Sequence, residues 1–159
     1  MRKIFLALWV IILFTGSLQA QFTDNFSDGD FTNNPAWTGL SSDWTVNASG
    51  QLQSNNTVAN STFYLSTIST LAFTAQWDFT CKLGFNPSSV NYMDVFVTAS
   101  DSDLSQASTT GYFVRIGGTD DEVSLYRKDN GSVTKIIDGI NGLLNSSSID
   151  IRISLIRDA

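Results

Sequence analysis

The chain has 159 residues, with nine Lys and Arg against fifteen Asp and Glu, no histidine and a single cysteine. Scattered cations and a net charge of −6 argue against nucleic acid, whose phosphates demand clustered Lys and Arg. The lack of histidine removes the usual base of serine and cysteine hydrolases and the commonest zinc ligand, and a lone cysteine precludes an intrachain disulfide.

Met1, Arg2 and Lys3 precede an unbroken apolar run over 4–14, and Thr15-Gly16-Ser17-Leu18-Gln19-Ala20 follows. This order reads as a secretory signal peptide over 1–20, cleaved before Gln21. Eleven apolar residues fall short of the roughly 20 that a spanning helix needs. The sequence therefore predicts a secreted or cell-surface product with no membrane span after cleavage. The mature segment, 21–159, has 139 residues and a charge of −8, a size that suits one two-layer domain. Cys81 lies far from the cleavage site, which argues against a lipid anchor.

Residues 22–31 and 37–49 read as sandwich-edge strands and loops. Thr45-Val46-Asn47 and Gln51-Leu52-Gln53 flank Ala48-Ser49-Gly50, a hairpin signal, and 62–66 is a further short strand. Over 73–85 every odd position is apolar (Phe73, Ala75, Trp77, Phe79, Cys81, Leu83, Phe85) and nearly everything between is polar. Strict period-two alternation describes a strand with one buried side, and its length points to a large antiparallel β-sandwich. After a turn at 86–89, Met93, Val95, Val97 and Ala99 resume the alternation, and 100–110 is a surface loop. Residues 111–117 form a strand with Tyr112, Val114 and Ile116 in one phase; 117–121 turns it into a strand over 122–127. Asn130-Gly131, a strong hairpin signal, turns again into 133–137. Ile149, Ile151, Ile153 and Leu155 alternate in a last strand. Because the sequence stops at Ala159 where another turn is due, the domain is expected to be truncated and to lack its last strand or strands.

Two segments carry a family resemblance: Asp24-Asn25-Phe26-Ser27-Asp28-Gly29-Asp30-Phe31 with Trp37, and Gly111-Tyr112-Phe113-Val114-Arg115-Ile116-Gly117-Gly118 leading into Glu122-Val123-Ser124-Leu125-Tyr126-Arg127. They resemble the N-terminal modules of secreted surface proteins of gliding Gram-negative bacteria. The fold of such modules is similar to the concanavalin A-like lectin and glucanase jelly roll, which includes laminin G domains. The resemblance spans most of the mature chain. It implies an all-β, antiparallel two-sheet jelly roll whose partners include downstream domains of the same chain, such as lamin-tail, immunoglobulin-like or C-terminal sorting domains.

Glucanases of that fold are similar in carrying a Glu-x-Asp-x-x-Glu run, and this chain has none. Glycoside hydrolysis needs two carboxyl groups roughly 5 to 10 Å apart. Glu122 is the only glutamate and sits beside Asp120 and Asp121 at a turn, while Asp78 and Asp94 fall on outward strand phases. A non-catalytic role is therefore expected. Asp24, Asp28 and Asp30 are candidate calcium ligands, since calcium takes six to eight oxygens; the same spacing also suits tight turns held by Asx hydrogen bonds.

The binding candidates are the outward residues Gln76, Asp78 and Lys82, then Asp94 and Phe96, then Phe113 and Arg115, then Tyr126, read as lining one sheet face. Aromatic rings stack on sugar rings while Asp, Gln and Arg hydrogen-bond the hydroxyls of a polysaccharide or glycan. The competing reading packs these rings, and Trp37 and Trp44, under loops or into the core. The expected function is a non-catalytic carbohydrate- or surface-ligand-binding module. The alternatives are a structural spacer of a multidomain surface protein and, less favoured, a polysaccharide hydrolase.

Overall fold

The computed structural model describes residues 23–70 and 74–158. The signal segment 1–20, the predicted cleavage site at Gln21, Phe22, Phe73 and Ala159 lie outside the described residues. The described chain is all-β and antiparallel: β1 (Thr38–Gly39), β2 (Trp44–Val46), β3 (Leu52–Ser54), β4 (Leu65–Ser66), β5 (Ala75–Leu83), β6 (Tyr92–Ala99), β7 (Gly111–Gly117), β8 (Glu122–Asp129), β9 (Ser132–Ile137) and β10 (Ile149–Arg157). A single 3-10 turn, Ser41–Asp43, precedes β2. No helix among the described residues is long and apolar enough to cross a membrane.

Two layers build the sandwich. The first is a four-stranded meander, β6-β7-β8-β9, and the second is the pair β10-β5, whose register runs without a break from Ile149 opposite Leu83 to Arg157 opposite Ala75. Alternation is what joins them. Odd residues of β5 and β10 point inward, as do Met93 and Val95 of β6, Val114 and Ile116 of β7, and Val123 and Leu125 of β8. Cys81, Leu83, Val114, Ile116, Leu144 and Ile149 form the buried centre, with Ile116 fully shielded from water. Each of the Leu, Ile and Val side chains contributes about 1.5–3 kcal/mol by leaving water. The Cys81 Sγ lies 3.4 Å from the Met93 Sδ, which seats β5 over β6, and burial raises the Cys81 thiol to about 11. The cysteine is a core residue, as its phase predicts.

Two strands cannot cover four. Ile137 stands opposite Leu125 on the inner face yet is 57% exposed, and Ile140 and Leu143 beyond it are more so.

Turn chemistry follows the sequence closely. Asn130 and Gly131 both take positive φ, 46° and 88°, as a two-residue hairpin requires. In the β2–β3 hairpin the Asn47 side-chain Oδ1 accepts from the Ser49 and Gln51 amides, and Gly50 turns at φ 66°. Gly117 ends β7 at φ 99°, where a Cβ would lie 2.4 Å from the Pro87 Cβ. No larger residue fits there without backbone movement.

The structure departs from simple alternation at two β-bulges. Phe96 pairs with Phe113, but Thr98 pairs with Tyr112, so Val97 is the extra residue and the phase of β6 reverses. Thr98 then faces the inner side, and the predicted inward phase of Val97 and Ala99 does not hold. Ile136 is the extra residue of β9. The predicted strand at 62–66 contracts to Leu65–Ser66, paired with β1.

Candidate functional site

Register sorts the predicted binding residues. Asp94, Arg115 and Ser124 form one row across β6, β7 and β8; Phe96, Phe113, Tyr126 and Lys135 form the next, extending to β9. All project from the outer face of the four-stranded sheet, opposite the core. Gln76 and Asp78 do not join them. They lie on the outer face of the other sheet, on β5, because the core separates the two layers; Lys82 shares that face. There Gln76 donates to Asp78 (2.8 Å), Lys82 pairs with Asp150 (3.0 Å), and Arg152 approaches Asp78 (3.8 Å). This is a solvated polar row, where such pairs stabilise by about 0–1 kcal/mol. The expected single face of eight outward residues is thus corrected to five on one face and three, Gln76, Asp78 and Lys82, on another.

The five make a compact arrangement. Arg115 donates from Nε and Nη2 to both oxygens of Asp94, each at 2.8 Å, a bidentate pair in which both side chains are about one-fifth exposed. Its guanidinium carbon stands 4.0 Å from the centroid of the Tyr92 ring and 5.1 Å from that of Tyr126. Tyr126 stacks on Phe113 at 5.4 Å and 8°, and Phe96 lies 4.8 Å from Phe113 on the other side. Arg115 is therefore held by a carboxylate fork and by ring faces at once. Such fixing leaves little rotamer freedom for a ligand to remove.

Phe113 is 1% exposed, so it supports the neighbouring rings and has no surface of its own to offer a ligand. Lys128, on the same face, donates to the carbonyls of Leu104 and Gln106 (3.1 and 2.8 Å), and the loop 100–110 is tied to that end of the sheet. Tyr92, absent from the predicted residues, is 40% exposed and completes the platform. Its position at the start of β6 and in phase with Asp94 and Phe96 was the available signal.

A second group adjoins the platform. Lys135 Nζ donates to Asp138 (2.6 Å), Asp120 (3.2 Å) and Glu122, and Ser124 Oγ donates to the same Glu122 oxygen while accepting from the Gly139 amide at 2.9 Å. Glu122 is 2% exposed. It is a buried partner of Lys135, where a turn beside two aspartates reads as a solvated tip. Asp138 and Glu122 together raise the Lys135 pKa, and Lys135 holds the Asp138 carboxyl below its usual range. The raised ammonium stabilises the fold below its ordinary value of 10.5 while its carboxylate partners stay ionised, and that contribution is lost as the pH climbs through the higher folded value.

The three candidate calcium ligands each serve a turn. Asp24 accepts from the Phe26 amide and the Trp37 indole (both 2.8 Å), Asp28 from the Asp30 amide (3.1 Å), and Asp30 from Thr32 and Asn33. Among the described residues no three His, Cys, Asp or Glu side chains gather in a way that could hold a metal ion. Asn33 and then Thr32 lower Asp30 from 3.8 to about 2; Ser105 and Gln106 do the same for Asp103. These groups stabilise the fold fully above about pH 4, and the contribution is lost as pH falls through about 2. Carbon-detected NMR is expected to show both carboxyls titrating near pH 2. Titration of either near 3.8 would mean that its hydrogen bonds open in solution.

Comparison with known proteins gives no direct guide: no family model matches the chain, and no match is found among curated proteins or solved structures.

Proposed function

We propose that this chain is a non-catalytic binding module of an exported or cell-surface protein, of the concanavalin A-like jelly-roll kind, that takes a glycan on the outer face of β6-β7-β8-β9. The observation that carries this reading is the Arg115 platform: a guanidinium fixed by Asp94 and flanked by Tyr92 and Tyr126, with ring surface and polar atoms open side by side. Sugar rings present apolar faces edged with hydroxyls, and this pairing of chemistries suits them. Export through the 1–20 signal segment and tethering to further domains of the same polypeptide belong to the proposal.

A spacer role is the second reading, favoured by the burial of Phe113 and by Arg115 finding its partner within the chain.

Retention of residues 21–159 on a panel of insoluble polysaccharides separates them. Wild-type protein is expected to be retained, and Tyr92→Ala or Tyr126→Ala to lower retention at least tenfold without loss of fold. Failure of a folded wild-type sample to bind any polymer would favour the spacer.

A further inference from the structure

The bulge at Val97 adds Thr98 to a second polar surface, on the inner face of the four-stranded sheet beyond the end of its apolar rows. Val95, Val114, Leu125 and Ile137 form one register row; the next row is Thr98, Tyr112, Arg127 and Thr134. No residue of β5 or β10 lines the shallow depression of about 410 Å³ that opens there. Its walls include Thr98, Ser100, Thr110, Tyr112, Arg127 and Asp129, and Lys128 also borders it. The volume is in the range that takes a small ligand, roughly 300–1,000 Å³.

Among the described residues Arg127 and Arg157 are the cations without a hydrogen bond or ion pair, and of the two Arg127 lines this depression. Arg115, Lys82, Lys135 and Arg152 all face carboxylates, and Lys128 is spent on loop carbonyls. Arg127 is exposed and makes no hydrogen bond or ion pair among the described residues, although Asp129 stands two positions away on the same strand face. Its planar fork matches a carboxylate bidentately. Beside it, Tyr112 is 37% exposed and offers a ring face, and three hydroxyls with the Asp129 carboxylate offer partners for sugar hydroxyls.

We infer that this depression is a subsite for a carboxylated sugar, a uronate residue of an acidic polysaccharide, with Arg127 on the carboxylate, Tyr112 against the ring and Asp129 on a hydroxyl. The site lies on the opposite face from the Arg115 platform and stands or falls independently of it.

Calorimetric titration with tetragalacturonate, maltotetraose and inorganic phosphate tests the inference. Tetragalacturonate is expected to bind at least tenfold more tightly than either other probe, and less tightly as salt is raised. Arg127→Gln is expected to weaken it at least tenfold, whereas Arg152→Gln, a charge-matched change on the far face, leaves it unaltered. Both arginines are exposed, so the variants keep the wild-type melting temperature. Amide shifts should centre on Thr98, Tyr112 and Arg127. Absence of tetragalacturonate binding, equal binding of the neutral tetramer or of phosphate, indifference to Arg127→Gln, or shifts centred on Asp94 and Arg115 would each overturn the assignment.

Discussion

Replacing Ile116 by alanine is expected to lower the melting temperature by on the order of 10 °C, the consequence of about 2–5 kcal/mol lost at the centre of the core. Ile116 is wholly shielded from water, with Met93 and Val123 beside it in register on the neighbouring strands. Removing three carbons there forfeits their transfer energy and leaves a cavity that β-sheet backbones on either side cannot collapse to fill. Ile156→Ala is the control: that residue is 62% exposed at the end of β10, and its loss is expected to cost under about 0.5 kcal/mol. Equal effects at the two sites, followed by thermal or urea unfolding, would mean that the sandwich does not pack around β7.

Asp94→Ala is expected to destabilise by about 1–3 kcal/mol and to weaken ligand retention as well. Truncating one member of a fully buried ion pair costs about 3–5 kcal/mol because the other charge is stranded. Here both side chains keep about a fifth of their surface in water, which moves the cost below that range. Arg115→Met alone should be milder, since a methionine can still lie against Tyr92 and Tyr126. Combining the two should cost less than the sum of the singles, and a double-mutant cycle measures that coupling. Strict additivity would show that the fork seen here is not held in solution.

Where the sequence succeeds and where it fails have separate physical origins. Alternation over β5 and β10, and positive φ at Asn130-Gly131, are local properties of the chain, and both appear in the structure as read. The all-β antiparallel sandwich follows from them. Period two assigns a side chain to one side of its own strand, but it cannot say which layer that strand joins. The pattern therefore groups Gln76 and Asp78 with Asp94 and Arg115, although the core lies between them. Bulges defeat the pattern in another way. One extra residue at Val97 reverses the phase and puts Thr98 where Val97 and Ala99 are expected, beside Tyr112 and Arg127, whose phase the unbroken β7–β8 register sets. A turn beside two aspartates gives no sign of the burial of Glu122, which depends on Lys135, thirteen residues later and brought alongside only when β9 pairs with β8. Aspartates of the 24–30 segment were legible as turn formers by their spacing alone, and each is found bonding a nearby amide.

The most direct test of the platform is amide shift mapping of isotope-labelled residues 21–159 with the neutral oligosaccharide of whichever polymer retains the protein best. The platform reading predicts shifts concentrated on Tyr92, Asp94, Arg115 and Tyr126, abolished by Tyr126→Ala. Shifts that leave those four unmoved, or a folded protein that responds to no oligosaccharide, would contradict it.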